Sequence, residues 1–257
     1  MINLTLSTIF LLCATALIAG WVDAVVGGGG LLQVPALLIG LPELAAVSVL
    51  ATNKAVAIVG TTAASATYVR KSQIDVRTAA RIGSLAIISS ATGAFLASDI
   101  DSAWLRPIII ILLALTTIFL IFRPSFGATS QAGAPRRPLL ALAISGGCIG
   151  FYDGLLGPGT GTFLMISLVA LLGLDLVTGS ATAKVVNVGA NLGGLTVFAV
   201  HGHVLWTIAL IMATFNLIGA ALGARTALRR GSKFLRILML VVMVVLVARL
   251  SYEQWWG

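Results

Sequence analysis

Long stretches with almost no charge dominate this chain, and they dictate its solvent. Apolar runs of about span length cover residues near 4–26, 43–69, 78–98, 103–122, 138–156, 175–201, 204–225 and 233–251. The chain is 59% hydrophobic and only 9% charged, against about 25% charged for a soluble domain. A water-soluble fold has nowhere to hide so much apolar surface, so the bilayer is the expected solvent. In lipid every backbone polar group must be paired within the protein, which leaves helices or closed barrels. A barrel strand alternates apolar and polar residues. The runs here are continuous, so the expectation is an all-α polytopic membrane protein. Residues 4–20 have the length of a signal-peptide core, but no basic region precedes them and the repeat described below includes them. They are expected to belong to the mature structure.

Two shorter apolar segments, near 31–41 and 162–174, fall short of the ~20 residues a span needs. Each directly follows a glycine-rich, charged knot: "GWVDAVVGGGG" at 20–30 and "GFYDGLLGPGTG" at 150–161. The knots are related by a constant offset of 130 residues. Gly20 matches Gly150, Asp23 matches Asp153, Gly27 matches Gly157 and Gly29 matches Gly159. Thr52 and Lys54 match Thr182 and Lys184 at the same offset. The polar stretch "RPSFGATSQAGAPRRP" from Arg123 separates the copies and reads as a linker. The organisation expected is a first repeat over 1–122, a cytoplasmic linker over 123–137 and a second repeat over 138–257.

The net charge of +8 does not point to nucleic acid, because of where the charges lie. Twelve of the sixteen Lys and Arg residues fall in three places: Arg70, Lys71, Arg77 and Arg81; Arg123, Arg136 and Arg137; and Arg225, Arg229, Arg230, Lys233 and Arg236. Basic loops lie on the cytoplasmic side. Segment 43–69 then ends inside while its counterpart 175–201 ends outside, so the copies insert in opposite senses. Inverted-topology repeats characterise many secondary transporters. The fold expected is two inverted repeats with about eight full transmembrane helices and two short broken or re-entrant ones.

Lys54 and Lys184 lie about 14–17 Å along their runs, near the middle of a ~30 Å hydrocarbon core. A lysine there costs at least ~2.5 kcal/mol unless it is paired or faces a wet cavity. Asp23 and Asp153 are embedded likewise, and mutual pairing would lower the penalty for all four. After each knot a short helix begins, and its unpaired N–H groups and positive dipole end suit a small anion. The candidate binding residues are Gly28, Gly29, Gly30, Thr52, Asn53, Lys54, Gly157, Gly159, Thr160, Gly161, Thr162, Thr182, Lys184 and Asn187. Asp23 and Asp153 are the candidates for ion pairing or proton coupling. Asn191 either bridges helices or lines the site. Gly20, Gly189, Gly193 and Gly194 suit close helix packing. His201 and His203 lack a third ligand, and Cys13 and Cys148 sit in apolar stretches, so neither a metal, a cofactor nor a disulfide is expected.

The motifs "GWVDAVVGGGGLLQVPALL", "ATNKA", "GFYDGLLGPGTGTF", "GLDLVTGSATAKVVNVGANLGG" and "HGHVLW" resemble those of the TauE/SafE family of membrane transporters, often called sulfite exporters. The resemblance covers almost the whole chain. It implies an inner-membrane protein that moves small sulfur-containing anions such as sulfite, sulfonates or related organic acids. One departure is that relatives often carry a glutamine soon after the first-half Asn-Lys, where this chain has Ala55 and Val56. The function expected is a secondary transporter working by alternating access and coupled to protons. No phosphate-binding P-loop is present to couple it to ATP. An anion channel, or an intramembrane enzyme acting on a lipid phosphate or sulfate, is the alternative. The partners expected are a small anion and the bilayer, without nucleic acid, and a homodimer is allowed.

Overall fold

A computed structural model describes residues 5–72, 74–100 and 137–256, with side chains beyond Gly231 described only at Phe234 and Ile237. Among the described residues there is no strand. Helix α1, Leu6–Val26, is capped at its start by Thr5, whose hydroxyl accepts from the Thr8 N–H. It ends at Gly27, which turns left-handed at φ 85°. α2, Gly29–Gly40, follows at once. α3 is Ala46–Lys71 and α4 is Val76–Asp99. α5, Pro138–Leu155, contains a π-helical stretch over Leu142–Cys148. α6, Thr160–Leu172, lies between left-handed Gly159 and Gly173. α7, Leu176–Val200, is capped by Asp175, and α8, Trp206–Trp256, breaks at Gly231.

Among the described residues, six helices are long and apolar enough to cross a membrane: α1, α3, α4, α5, α7 and α8 as far as Gly231. The expected span at 103–122 and most of the 123–137 linker lie outside the described residues, whereas Arg137 is described. The expected span at 233–251 falls in the part of α8 beyond the break, which is helical to Trp256. α2 and α6 have 12 and 13 residues, so each is roughly 18–20 Å long. Both begin two residues before the apolar segments read from sequence, because each helix starts on the last residues of its knot.

Each short helix folds back on the helix before it. Leu12 and Thr8 of α1 pack against Gly40 at the end of α2. The Arg137 N–H donates to the Leu171 carbonyl, tying the base of α5 to the end of α6. The structure therefore contains two helical hairpins, each with a glycine knot at its tip. α1 runs along α8, α5 runs along α4, and α3 crosses α7 between them.

Small residues permit these crossings, as is usual where apolar lipid supplies no driving force of its own. A Cβ on Gly93 of α4 would collide with the Phe151 carbonyl oxygen of α5, and one on Gly223 of α8 with that of Trp21 in α1. Gly93 and Gly223 are 130 residues apart, and so are Trp21 and Phe151. Gly20 and Gly150 likewise meet the backbones of Asn216 and Ala86, again 130 apart. Gly189 and Gly193 of α7 sit on the α4 backbone at Gly83 and Ile87. The outer faces carry exposed Leu6, Phe10, Ile18, Ile88, Val200 and Leu210, as a lipid-facing surface requires. Arg70, Lys71, Arg77, Arg81, Arg137, Arg225, Arg229 and Arg230 are also exposed, at or near helix ends.

Candidate functional site

The two knots meet. Gly27 lies so close to Gly161 and Thr162 that a Cβ on it would strike their backbone atoms. A Cβ on Gly161 would stand 2.7 Å from the Gly27 Cα, and one on Gly30 3.2 Å from the Pro158 Cα. The Thr162 hydroxyl donates to the Val26 carbonyl at 2.8 Å, stitching the start of α6 to the end of α1. Glycine is needed here for two reasons. Gly27, Gly157 and Gly159 have φ of 85°, 88° and 84°, where a side chain strains the backbone. Contact between the tips also leaves no room for one.

Two crossed ion pairs flank this contact. Lys54 Nζ of α3 donates to Asp153 Oδ2 of α5 at 2.6 Å, and both side chains are only 3% exposed. Lys184 Nζ of α7 donates to Asp23 Oδ2 of α1 at 2.7 Å, with exposures of 1% and 17%. Each lysine is thus neutralised by the aspartate of the other half of the chain. Further bonds are sparse. The Ser90 hydroxyl reaches Asp153 Oδ2 at 3.4 Å, and the Gly29 N–H reaches Asp23 Oδ1 at 3.4 Å. The Lys54 stem lies on Gly194, where a Cβ would stand 2.6 Å from Cε. Burying four charges is tolerable because they are paired at hydrogen-bond distance.

Between the tips lies a polar cavity of about 30 Å³, room on the scale of a water or two. Of the residues expected at the site, Asp23, Gly29, Gly30, Asn53, Lys54, Asp153, Gly157, Gly159, Thr160, Gly161 and Asn187 line it. Gly28, Thr52, Thr162, Thr182 and Lys184 are not among the lining residues. Gly28 faces Leu31 and Val22. The Thr52 hydroxyl accepts from the Leu205 N–H at 3.2 Å, and the Thr182 hydroxyl donates to the Thr178 carbonyl of its own helix. Lys184 stands behind Asp23. The pseudo-equivalent lysines therefore differ, since Lys54 meets the cavity and Lys184 reaches it through its partner.

The sequence reading placed no site role on Gln33, Ala57, Thr61 or Asn216, yet all four line the cavity, as does Asn191. Asn191 Nδ2 donates to Asn187 Oδ1 at 3.4 Å and to Thr61 Oγ1 at 3.5 Å. Asn191 and Thr61 are themselves 130 residues apart. The lining thus combines one ammonium, two carboxylates, five carboxamides and backbone N–H groups at the start of α2 and α6. With Lys184 included the formal charge is zero. Such a wall offers directional donors and acceptors to a small polar ligand and a cation that can be uncovered by moving a carboxylate.

A family model described as "Sulfite exporter TauE/SafE" matches residues 12–250. The chain is 33% identical over 239 residues to a protein of Escherichia coli strain K12 named "Probable membrane transporter protein YfcA", covering 93% of this chain and 88% of that one. A "Probable membrane transporter protein ORF9" of Sinorhizobium is 33% identical, over 93% of this chain and 90% of its own. A "Probable membrane transporter protein" of Haemophilus influenzae is 32% identical, over 96% and 95%. No solved structure gives a significant match. The chain belongs to the TauE/SafE family.

Proposed function

We propose that this protein is a multi-pass inner-membrane secondary transporter that moves a small anion, a sulfur oxyanion such as sulfite or an organosulfonate, by proton-coupled alternating access. The observation that carries this reading is the pair of crossed Lys–Asp bridges, one buried and one partly buried, at the contact between two broken-helix tips. Intramembrane charges lining a cavity at a repeat interface mark transport pathways. The family description and the relatives' names agree with it.

Several contacts support an arrangement of two oppositely inserted halves. The base of the α5–α6 hairpin carries exposed Arg137, which belongs on the cytoplasmic side. α3 ends at exposed Arg70 and Lys71 on that same side, so its start and the preceding end of α2 belong on the other. The hairpins then enter from opposite faces and meet tip to tip. The residue pairs repeated at an offset of 130, and the contact of Thr61 with its own counterpart Asn191, fit a two-fold axis in the membrane plane between 1–122 and 138–257.

Charge balance supplies the coupling. Both lysines are already neutralised, so an anion arriving at Lys54 adds an uncompensated negative charge. A proton taken up by Asp153 releases Lys54 to the anion and restores neutrality. One proton accompanies each anionic charge, and the cycle is electroneutral. Each bridge also links the two halves, so loosening one lets them rock about the site.

The test is flux in proteoliposomes with sulfite, thiosulfate, taurine, sulfoacetate and acetate. An imposed pH gradient is expected to drive at least one sulfur anion uphill, and Lys54→Met to stop it. If none of the panel moves, the substrate reading fails. If flux ignores the pH gradient, the coupling fails.

A further inference from the structure

Two buried side-chain atoms among the described residues have no hydrogen-bond partner: Gln33 Nε2 and Asn53 Oδ1. Both residues line the cavity, and Gln33 is only 2% exposed. Nearly all buried polar atoms in native proteins are paired, and a buried orphan normally marks a water or a ligand. Gln33 is more informative because its orientation is dictated. Asn216 Nδ2 donates to the Ala16 carbonyl at 3.0 Å and to Gln33 Oε1 at 3.1 Å. The backbone carbonyl can only accept, so the Asn216 group facing it must be the NH2. That NH2 then demands an acceptor from Gln33, and the Gln33 NH2 is turned the other way. Asn216 takes this position because Gly60 has no side chain, since a Cβ there would collide with Asn216 Oδ1.

We propose that Gln33 is a specificity-determining residue whose Nε2 donates to an oxygen of the transported oxyanion, with Asn216 as its positioning residue. The inference rests on the transport reading above. Lys54 supplies charge, which any small anion satisfies. Gln33 supplies a directional donor, which favours an anion with a peripheral oxygen at that point. Sequence separates the roles too, because Gln33 sits on α2 and Asn216 on α8, and the residues 130 further from Gln33 and 130 before Asn216 are Phe163 and Ala86. The device belongs to one half only, so it tunes the substrate rather than maintaining the repeat.

The experiment measures sulfite affinity of the purified chain by thermal stabilisation and sulfite flux in proteoliposomes. Gln33→Met keeps the volume and removes the donor. It is expected to weaken sulfite about ten- to a hundredfold, as for a lost bond to a charged group, and to raise KM by more than it lowers the maximal rate. Gln33→Glu keeps the acceptor for Asn216 and is nearly the same shape, yet it should be worse than Gln33→Met because it places a carboxylate against the anion. Asn216→Ala should show a smaller rise in KM. A Gln33→Met affinity within twofold of the parent, while Lys54→Met abolishes binding, overturns this inference and leaves the transport reading standing. A fall in maximal rate alone, or a Gln33→Glu protein that outperforms Gln33→Met, makes Gln33 structural and also overturns it. If the parent binds none of sulfite, thiosulfate, taurine, sulfoacetate or acetate, both fall.

Discussion

Lys54→Met removes an ammonium while keeping the apolar stem that rests on Gly194, so its effect reports the charge and not the packing. Asp153 would then be left 3% exposed with a 3.4 Å bond from Ser90 as its remaining described side-chain contact. Breaking a buried pair by deleting one partner costs about 3–5 kcal/mol, because the survivor is an uncompensated buried charge. At about 2–4 °C per kcal/mol for a chain of this size, the midpoint should fall by roughly 6–20 °C. Adding Asp153→Leu removes the stranded charge, and replacing both members by apolar groups is often neutral. The double variant should therefore return to within about 1 kcal/mol of the parent. It should nonetheless transport nothing, which separates folding from function. Lys184→Met is the internal comparison. Its bridge has nearly the same length, but Asp23 is 17% exposed and also accepts from the Gly29 N–H, so water and backbone soften the loss and the drop should be smaller. The assay is heat unfolding in detergent for the four proteins, with flux measured on each. A double variant no more stable than Lys54→Met, or a Lys54→Met protein as stable as the parent, would refute the buried-charge reasoning.

Gly27→Ala should cost at least about 1–2 kcal/mol from the left-handed backbone alone, and it should stop flux by pushing the knots apart, because the atoms it meets are backbone and cannot yield. Gly147→Ala, with nothing within 4 Å of the added carbon, is the control and should leave unfolding and flux unchanged. Asp175 caps α7, accepting from Val177 and Thr178 at 2.9 and 3.1 Å. Burial pushes its carboxyl up, but the bonds from Thr178 and Val177 hold it below the usual carboxylate value. The folded value is thus the lower one, so the cap's contribution is complete above the unfolded value and disappears as pH falls through the folded one. Asp175→Ala should cost about 1 kcal/mol at neutral pH, with parent and variant converging in unfolding scans as the solution is acidified through the lowered folded value.

What the sequence made legible follows from what is expensive in lipid. Lys54, Lys184, Asp23 and Asp153 stood out because an unpaired charge in an apolar run is costly, and the knots stood out because glycine and proline interrupt a helix. The partners were less legible. Within each half the lysine and aspartate are 31 positions apart, and nothing in the spacing excludes pairing inside a half. Packing decides it, since α5 lies along α4 and α1 along α8, so each aspartate is carried to the opposite lysine. The α2 and α6 helices were legible as short broken or re-entrant segments, but which of the two was not, because the fold-back depends on contacts such as Arg137 with Leu171 that leave no periodicity behind.

A constant repeat offset is also a biased guide to the cavity lining. It selects positions that both halves share, and shared positions serve the fold as readily as the ligand. Thr52 and Thr182 are matched at the same offset as the lysines, yet their hydroxyls hold Leu205 and Thr178. Gln33 and Asn216 are unmatched, and uncharged, so neither the offset nor the cost of a buried charge singled them out. A lone carboxamide in an apolar helix is the signal that was available, in "LLQVP" and "ATFNLIG", since such a group must find a partner inside the membrane. A symmetric scaffold has two equivalent bridges and, by itself, would hold two equivalent anions. The unmatched amides break that equivalence at the cavity, and Lys184 recedes behind Asp23 while Lys54 meets the cavity directly. On the transport reading proposed above, the asymmetry favours one anion at the Lys54 side, and reversing that single bridge, with Lys54→Asp and Asp153→Lys together, should preserve the ion pair and the net charge while abolishing flux.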